Sequence, residues 1–213
     1  MLLSSLFLRC LSVPYRRTAN GGDYAAERAG DSLTLYFEDS DGALDWFHNL
    51  AFPAKAYRTA SSPTVYAHGG FLRVWRSVLP HLEAMLADPT LTGVTAVGYS
   101  HGGALALLCH EYVWFHRPDL RHTLNGYGFG CPRVLFRPDP RLRARFTRFT
   151  VIRNRNDAVT YLPPSLWGYA HVGKLLEIGE EGKYSPIDAH RPQNILRELQ
   201  AWEKENYPNV PRT

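Results

Sequence analysis

Gly98-Tyr99-Ser100-His101-Gly102 sets a serine between small residues two positions before and two after it. That spacing suits a nucleophile held on a tight strand-to-helix turn. There the backbone is strained, and side chains at the flanking glycine positions would strike neighbouring main chain. Thr95-Ala96-Val97 reads as the incoming strand. Gly103 to Phe115, apolar on nearly every side, reads as the outgoing helix, buried behind a sheet. Strand, elbow and helix in this order make Ser100 the candidate nucleophile, with Gly98 and Gly102 supporting it.

A serine hydroxyl needs a base to take its proton and a carboxylate to orient that base, and in hydrolases of this kind they follow in the order Ser, Asp or Glu, His. Asp157 follows the strand-like Phe149-Thr150-Val151-Ile152 through Arg153-Asn154-Arg155-Asn156, which places it at a sheet edge beside the elbow. Its alternative role is a turn aspartate satisfying local N–H groups. Asp139, between prolines in an arginine-rich loop, is the weaker candidate. Two histidines compete for the base. His171 stands at the start of the strand Val172 to Ile178, whereas His190 follows that strand and precedes the last helix. In a parallel sheet the working edge is the strand end, which favours His190. His110, His116 and His122 lie on or beyond the nucleophile helix and read as structural or exposed.

For a developing oxyanion, the N–H of His101 is one donor and the N–H of Ser40, after the strand Leu33 to Phe37, is the other. His68-Gly69-Gly70-Phe71 has the look of a glycine-rich oxyanion loop. By strand order it supports the walls of the site instead, through His68 and Gly70.

The elements that must position these residues alternate. Leu33 to Phe37, Thr64 to Ala67, Gly93 to Val97, Leu124 to Phe129, Phe149 to Ile152 and Val172 to Ile178 read as strands. Phe71, Val74, Trp75, Val78, Leu79, Leu82 and Leu86 recur at helical spacing, with a kink expected at Pro80. Ile195, Leu196, Leu199 and Trp202 stripe a last helix. The expected class is α/β, a central mostly parallel sheet with helices on both faces. At 213 residues and 45% hydrophobic, one domain over 1–213 is expected.

The net charge of +4 comes from scattered cations with one denser stretch, Arg133 to Arg148. That stretch lacks aromatic interleaving, which argues against a nucleic-acid partner, and it reads as a solvated face. Three cysteines, Cys10, Cys109 and Cys131, indicate no disulfide framework and favour a cytoplasmic over a secreted location. Metal-ligand spacing is absent, so neither metal nor organic cofactor is expected. Met1 to Leu8 lacks the basic start and cleavage site of a signal peptide and reads as an amphipathic helix packed on the domain. No apolar run is long enough for a transmembrane segment, although peripheral lipid contact stays open.

Together with the elbow, several further motifs resemble the class 3 lipases, the family of the fungal triacylglycerol lipases. They are Asp45-Trp46 to Asn49-Leu50, His68-x-Gly70-Phe71, Gly128-Phe129-Gly130-Cys131-Pro132-Arg133, Asn156-Asp157-x-Val159-x-x-Leu162-Pro163 and Gly168-Tyr169-x-His171-Val172-Gly173. The resemblance runs from Leu33 to His190 and implies the α/β-hydrolase fold. Carried over by position, it puts the triad on Ser100, Asp157 and His190 and the oxyanion donors on Ser40 and His101. It implies a serine carboxylic-ester hydrolase acting through an acyl-enzyme on acylglycerols or other lipid or short-chain esters. Acyl transfer or lysophospholipase action by the same triad, and a non-catalytic binding module, are the alternatives. Two departures stand out. His101 replaces the family's usual leucine, and Asp39 to Asp45, where fungal relatives carry a lid helix, is short and acidic. The expectation is an unlidded site. Oligomeric state and acyl-chain preference are not legible.

Overall fold

In chain order the main elements begin with helix α1 (Leu3–Ser12), strands β1 (Tyr24–Ala29), β2 (Ser32–Phe37), β3 (Ala54–Tyr57) and β4 (Val65–His68), and helix α2 (Gly69–Leu86). Strand β5 (Gly93–Tyr99), helix α3 (His101–His116), strands β6 (Asn125–Phe129) and β7 (Leu135–Phe136) and the short helix α4 (Pro140–Ala144) follow. Strands β8 (Phe149–Asn154), β9 (Tyr169–Ala170) and β10 (Lys174–Ile178) and helix α5 (Pro192–Asn206) complete them. The structure, a computed structural model, describes residues 2–18, 22–38, 53–57 and 65–210. Ser40, the 39–45 segment and the Asp45-Trp46 to Asn49-Leu50 motif lie outside the described residues.

The central sheet has the order β1-β2-β5-β6-β8-β10, parallel throughout except for β1 at the edge. Strict side-chain alternation splits the core in two. Leu33, Leu35, Phe37, Val94 and Ala96 join the cluster built by α2 and α3, whereas Tyr36, Val97 and Tyr99 join Leu6, Phe7, Ile195 and Leu199 of α1 and α5. Each large side chain removed from water contributes about 1.5–3 kcal/mol, so both faces must be covered, and they are. The α/β-hydrolase expectation stands: a mostly parallel sheet with helices on both faces.

The structure corrects one local expectation. The strand read from Thr64 to Ala67 exists as β4 but does not enter the central sheet. It belongs to a separate antiparallel sheet of order β3-β4-β7-β9. Thus β2 pairs directly with β5, Phe37 lying opposite Gly98. Helix α2 extends through Pro80, where the sequence reading set a kink. Asp139 caps α4, its Oδ1 accepting from the Leu142 N–H at 2.7 Å.

Helix α1 packs against the sheet and α5. Phe7 lies 4.6 Å from the Phe129 ring and 5.6 Å from that of Tyr99, between ring centroids. The buried Glu203 carboxylate on α5 accepts from the Ser4 N–H at 2.9 Å and from its hydroxyl at 2.5 Å. Cys10, Cys109 and Cys131 are unpaired with one another and buried, and burial pushes the Cys109 and Cys131 thiols well up. Among the described residues no helix is long and apolar enough to cross a membrane.

Candidate active site

The carboxyl ends of β5, β6, β8 and β10 converge on one edge of the sheet, and Ser100 sits there between β5 and α3. Its backbone is held at φ 54°, ψ −119°, a sparsely populated combination that costs about 1–3 kcal/mol. The neighbours hold it there. A Cβ on Gly98 would overlap the Gly102 carbonyl and lie 2.7 Å from the Gly103 nitrogen. One on Gly102 would lie 2.7 Å from the Phe37 carbonyl carbon and 2.8 Å from the Glu38 oxygen. The Ser100 N–H donates to the Phe129 carbonyl at 2.8 Å. Although Ser100 stands at the N-cap of α3, its hydroxyl does not cap the helix. It faces His190.

The His190 Nε2 lies 2.7 Å from Ser100 Oγ, and its Nδ1 lies 2.9 Å from Asp157 Oδ2. A carboxylate offers no proton, so Nδ1–H donates to Asp157 and the Nε2 lone pair accepts from the serine hydroxyl. Ser100 and Asp157 are both 0% exposed. The two roles weighed for Asp157 coexist on its two oxygens. Oδ1 accepts from the Val159 N–H at 2.9 Å and caps the following turn, while Oδ2 holds the imidazole. Asn156, at φ 65°, makes the reversal that presents it, a conformation asparagine tolerates better than most residues.

His171, the competing base, is elsewhere. Its Nε2 lies 2.7 Å from the Thr160 carbonyl, and burial lowers its pKa to about 4. His110 is buried against Phe146 and Phe149, remote from the relay. His101 occupies the first position of α3, where an N–H has no acceptor within its own helix, as an oxyanion donor requires. Its ring is 6% exposed, packs 5.6 Å from that of Phe71, and is driven to a pKa of about 4, chiefly by burial and then by His68. His68 is buried beside Phe71 and Tyr169, and Gly70 lies in the first turn of α2, so the glycine-rich segment packs behind His101. Ser40 lies outside the described residues.

Three positioning residues escaped the sequence reading. The Tyr99 hydroxyl donates to the His190 carbonyl at 2.7 Å, and its ring stacks on the imidazole at 5.2 Å. Asn154 Nδ2 donates to the Ala189 carbonyl at 2.9 Å, tying the end of β8 to the histidine turn. Gly130, at φ 56°, leaves room for the relay: a Cβ there would stand 2.8 Å from His190 Cε1 and 3.2 Å from Asp157 Oδ2. Only Gly130 carried a signal, its place in the Gly128-x-Gly130 motif. No metal-ligating cluster occurs among the described residues.

Known proteins resemble this chain. The chain is 33% identical to a lipase of Rhizomucor miehei over 159 residues, 68% of this chain and 42% of that protein. It is 31% identical to phospholipase A1-II 5 of Oryza sativa subsp. japonica over 128 residues, 52% of this chain and 26% of that protein. The chain therefore spans less than half the length of these relatives. The solved structure of the Rhizomucor miehei triacylglyceride lipase superposes with a TM-score of 0.66 at 25% identity, covering 79% of this chain and 66% of that one. The sequence profile for lipase (class 3) matches residues 34–167, which include Ser100 and Asp157 but stop short of His190. The base therefore comes from a part of the chain beyond the matched segment, and the fold delivers it to the same sheet edge. With more than half of its length matched, the chain belongs to the class 3 lipase family.

Proposed function

We propose that this chain, acting as one domain, is a serine carboxylic-ester hydrolase for acylglycerols or other lipid or short-chain esters. The observation that carries the reading is the continuous Ser100–His190–Asp157 relay, with contacts of 2.7 and 2.9 Å. His190 Nε2 takes the hydroxyl proton as Ser100 Oγ attacks the ester carbonyl. The His101 N–H and, on the sequence reading, the Ser40 N–H hold the oxyanion. The C–O bond to the alcohol then breaks, the alcohol leaves with the proton returned by His190, and an acyl-serine remains. Water attacks it with His190 again as base, releasing the acid. Asp157 keeps the ring oriented and stabilises the imidazolium. The rice relative's name favours phospholipid esters as a second substrate class.

The test is a turnover profile on p-nitrophenyl esters, triacylglycerols and phospholipids, run alongside Ser100→Ala and fluorophosphonate labelling. Labelling confined to Ser100 and an inactive, folded alanine variant are expected. An alanine variant with parental turnover would sink the reading.

A further inference from the structure

The loop after Asp157 exposes apolar side chains that nothing in the described fold covers. Leu166 is 96% exposed, Trp167 55% and Tyr161 43%, all between the turn at Ala158–Tyr161 and Gly168. Ile187, 60% exposed, borders the same turn, because the Ala158 N–H donates to the carbonyl of Pro186 beside it. Burying large apolar groups is favourable, so a cluster this exposed marks a contact surface.

Two arginines are fastened to this loop. Arg133 Nη1 donates to the carbonyls of Tyr161 and, at 3.2 Å, of Pro163, and its guanidinium carbon lies 5.7 Å from the centre of the Tyr161 ring. The Arg137 N–H donates to the Gly168 carbonyl at 2.8 Å, and the Arg137 side chain lies against Gly168. Neither has a carboxylate partner among the described residues. The sequence around them is one-signed. Between Pro132 and Asn156 there are eight arginines and one aspartate, Asp139, whose carboxylate caps α4.

We propose that the 161–168 loop, with Arg133 and Arg137, is a docking surface for an anionic lipid surface. Leu166 is a protruding side chain rather than the wall of a groove, a shape that enters an acyl layer. Trp167 and Tyr161 are amphipathic rings suited to the headgroup boundary. The arginines lie where phosphate and carboxylate headgroups would meet them. A second copy of this chain would bring the same cations face to face, so charge disfavours self-association there. The proposal goes beyond ester hydrolysis, because binding requires no turnover.

The experiment is co-sedimentation of the full chain with vesicles of ether-linked phosphatidylcholine, alone or mixed with ether-linked phosphatidylserine. Ether lipids keep the surface intact even if the chain hydrolyses esters. Binding is expected mainly to the phosphatidylserine vesicles and is expected to weaken at high salt. Arg137→Gln should lower the partition about fivefold, from the roughly 1 kcal/mol carried by each basic residue near such a surface. Leu166→Ser with Trp167→Ser should lower it tenfold or more, while turnover of a soluble short-chain ester, the fold control, stays unchanged. Equal binding to both vesicle types, no vesicle binding, or variants that bind like the parent would overturn the proposal. So would a dimer in solution that the Leu166→Ser/Trp167→Ser variant dissolves. Absent turnover in every sample, with vesicle binding intact, would count against the hydrolase reading alone.

Discussion

His171 and His190 differ in what their rings touch, and that difference is measurable. His190 bridges Ser100 and Asp157, so His190→Ala removes both proton acceptance and orientation. Its turnover should fall nearly as far as that of Ser100→Ala, by a factor on the order of a million. Members of one relay are not additive, and the double variant should be scarcely slower than either single one. Among the described residues the His171 ring bonds only the Thr160 carbonyl. His171→Ala should lower the melting temperature, by about 1–3 kcal/mol of stability, with kcat within a few-fold of the parent. Thermal melts and single-turnover kinetics on the three variants separate the roles. A folded, inactive His171→Ala beside an active His190→Ala would reverse them.

At the level of elements, Gly102 shows close approach outweighing helix propensity. It lies in α3, where alanine is ordinarily better by about 1 kcal/mol. An added Cβ would press into the Phe37 and Glu38 main chain, and backbone cannot swing aside. Gly102→Ala should destabilise by about 1–3 kcal/mol and cut kcat as the elbow shifts. Gly182→Ala has open space around it and only a φ of 77° against it, so it should cost about 1–2 kcal/mol and leave kcat alone. Urea melts and ester assays on both variants read the contrast. The strands that build the site were legible because β2, β5 and β8 carry apolar residues at known distances from the elbow, and β6 sets Tyr127 and Phe129 among glycines. The small sheet was not. Strands β7 and β9 have two residues each, too few for any period, and β4 gives no sign in its own sequence that its partners are β3 and β7. Strand β1 was missed because Ala26-Glu27-Arg28 has weak strand preference. Its signal was the two-residue Gly30-Asp31 turn, with Gly30 at φ 63°. Of the candidate site, Ser100, Asp157 and His190 could be read from order and spacing, whereas Tyr99 and Asn154 act through main-chain and ring contacts that no spacing announces.

For the molecule as a whole, buried imidazoles set how stability follows pH. His101 and His171 are depressed to about 4 and His110 to about 3 from an ordinary 6.5, all chiefly by burial. Below 6.5 the unfolded chain binds protons at these sites that the folded chain refuses, so stability is lost as pH falls toward the folded values. Burial raises Glu111 from 4.5 to about 7 despite its ion pair with Arg145, and this works in the opposite direction as pH rises across that interval. Three groups oppose one. The melting temperature should climb between pH 4.5 and 6.5, and calorimetry in buffers of different ionisation enthalpy should detect net proton uptake on unfolding; release would contradict it. The buried thiols supply a clock for motions that melting curves average away. Cys10 lies in α1, whereas Cys109 and Cys131 lie in the central core, and none can meet an alkylating reagent until its surroundings open. Under native conditions, mass-resolved labelling should modify Cys10 first, at the rate at which α1 lifts from the sheet. Cys109 and Cys131 should follow together at the slower rate of global opening. The same chain thus reports two separate opening frequencies, and equal rates at all three thiols would mean that α1 and the sheet come apart as one unit.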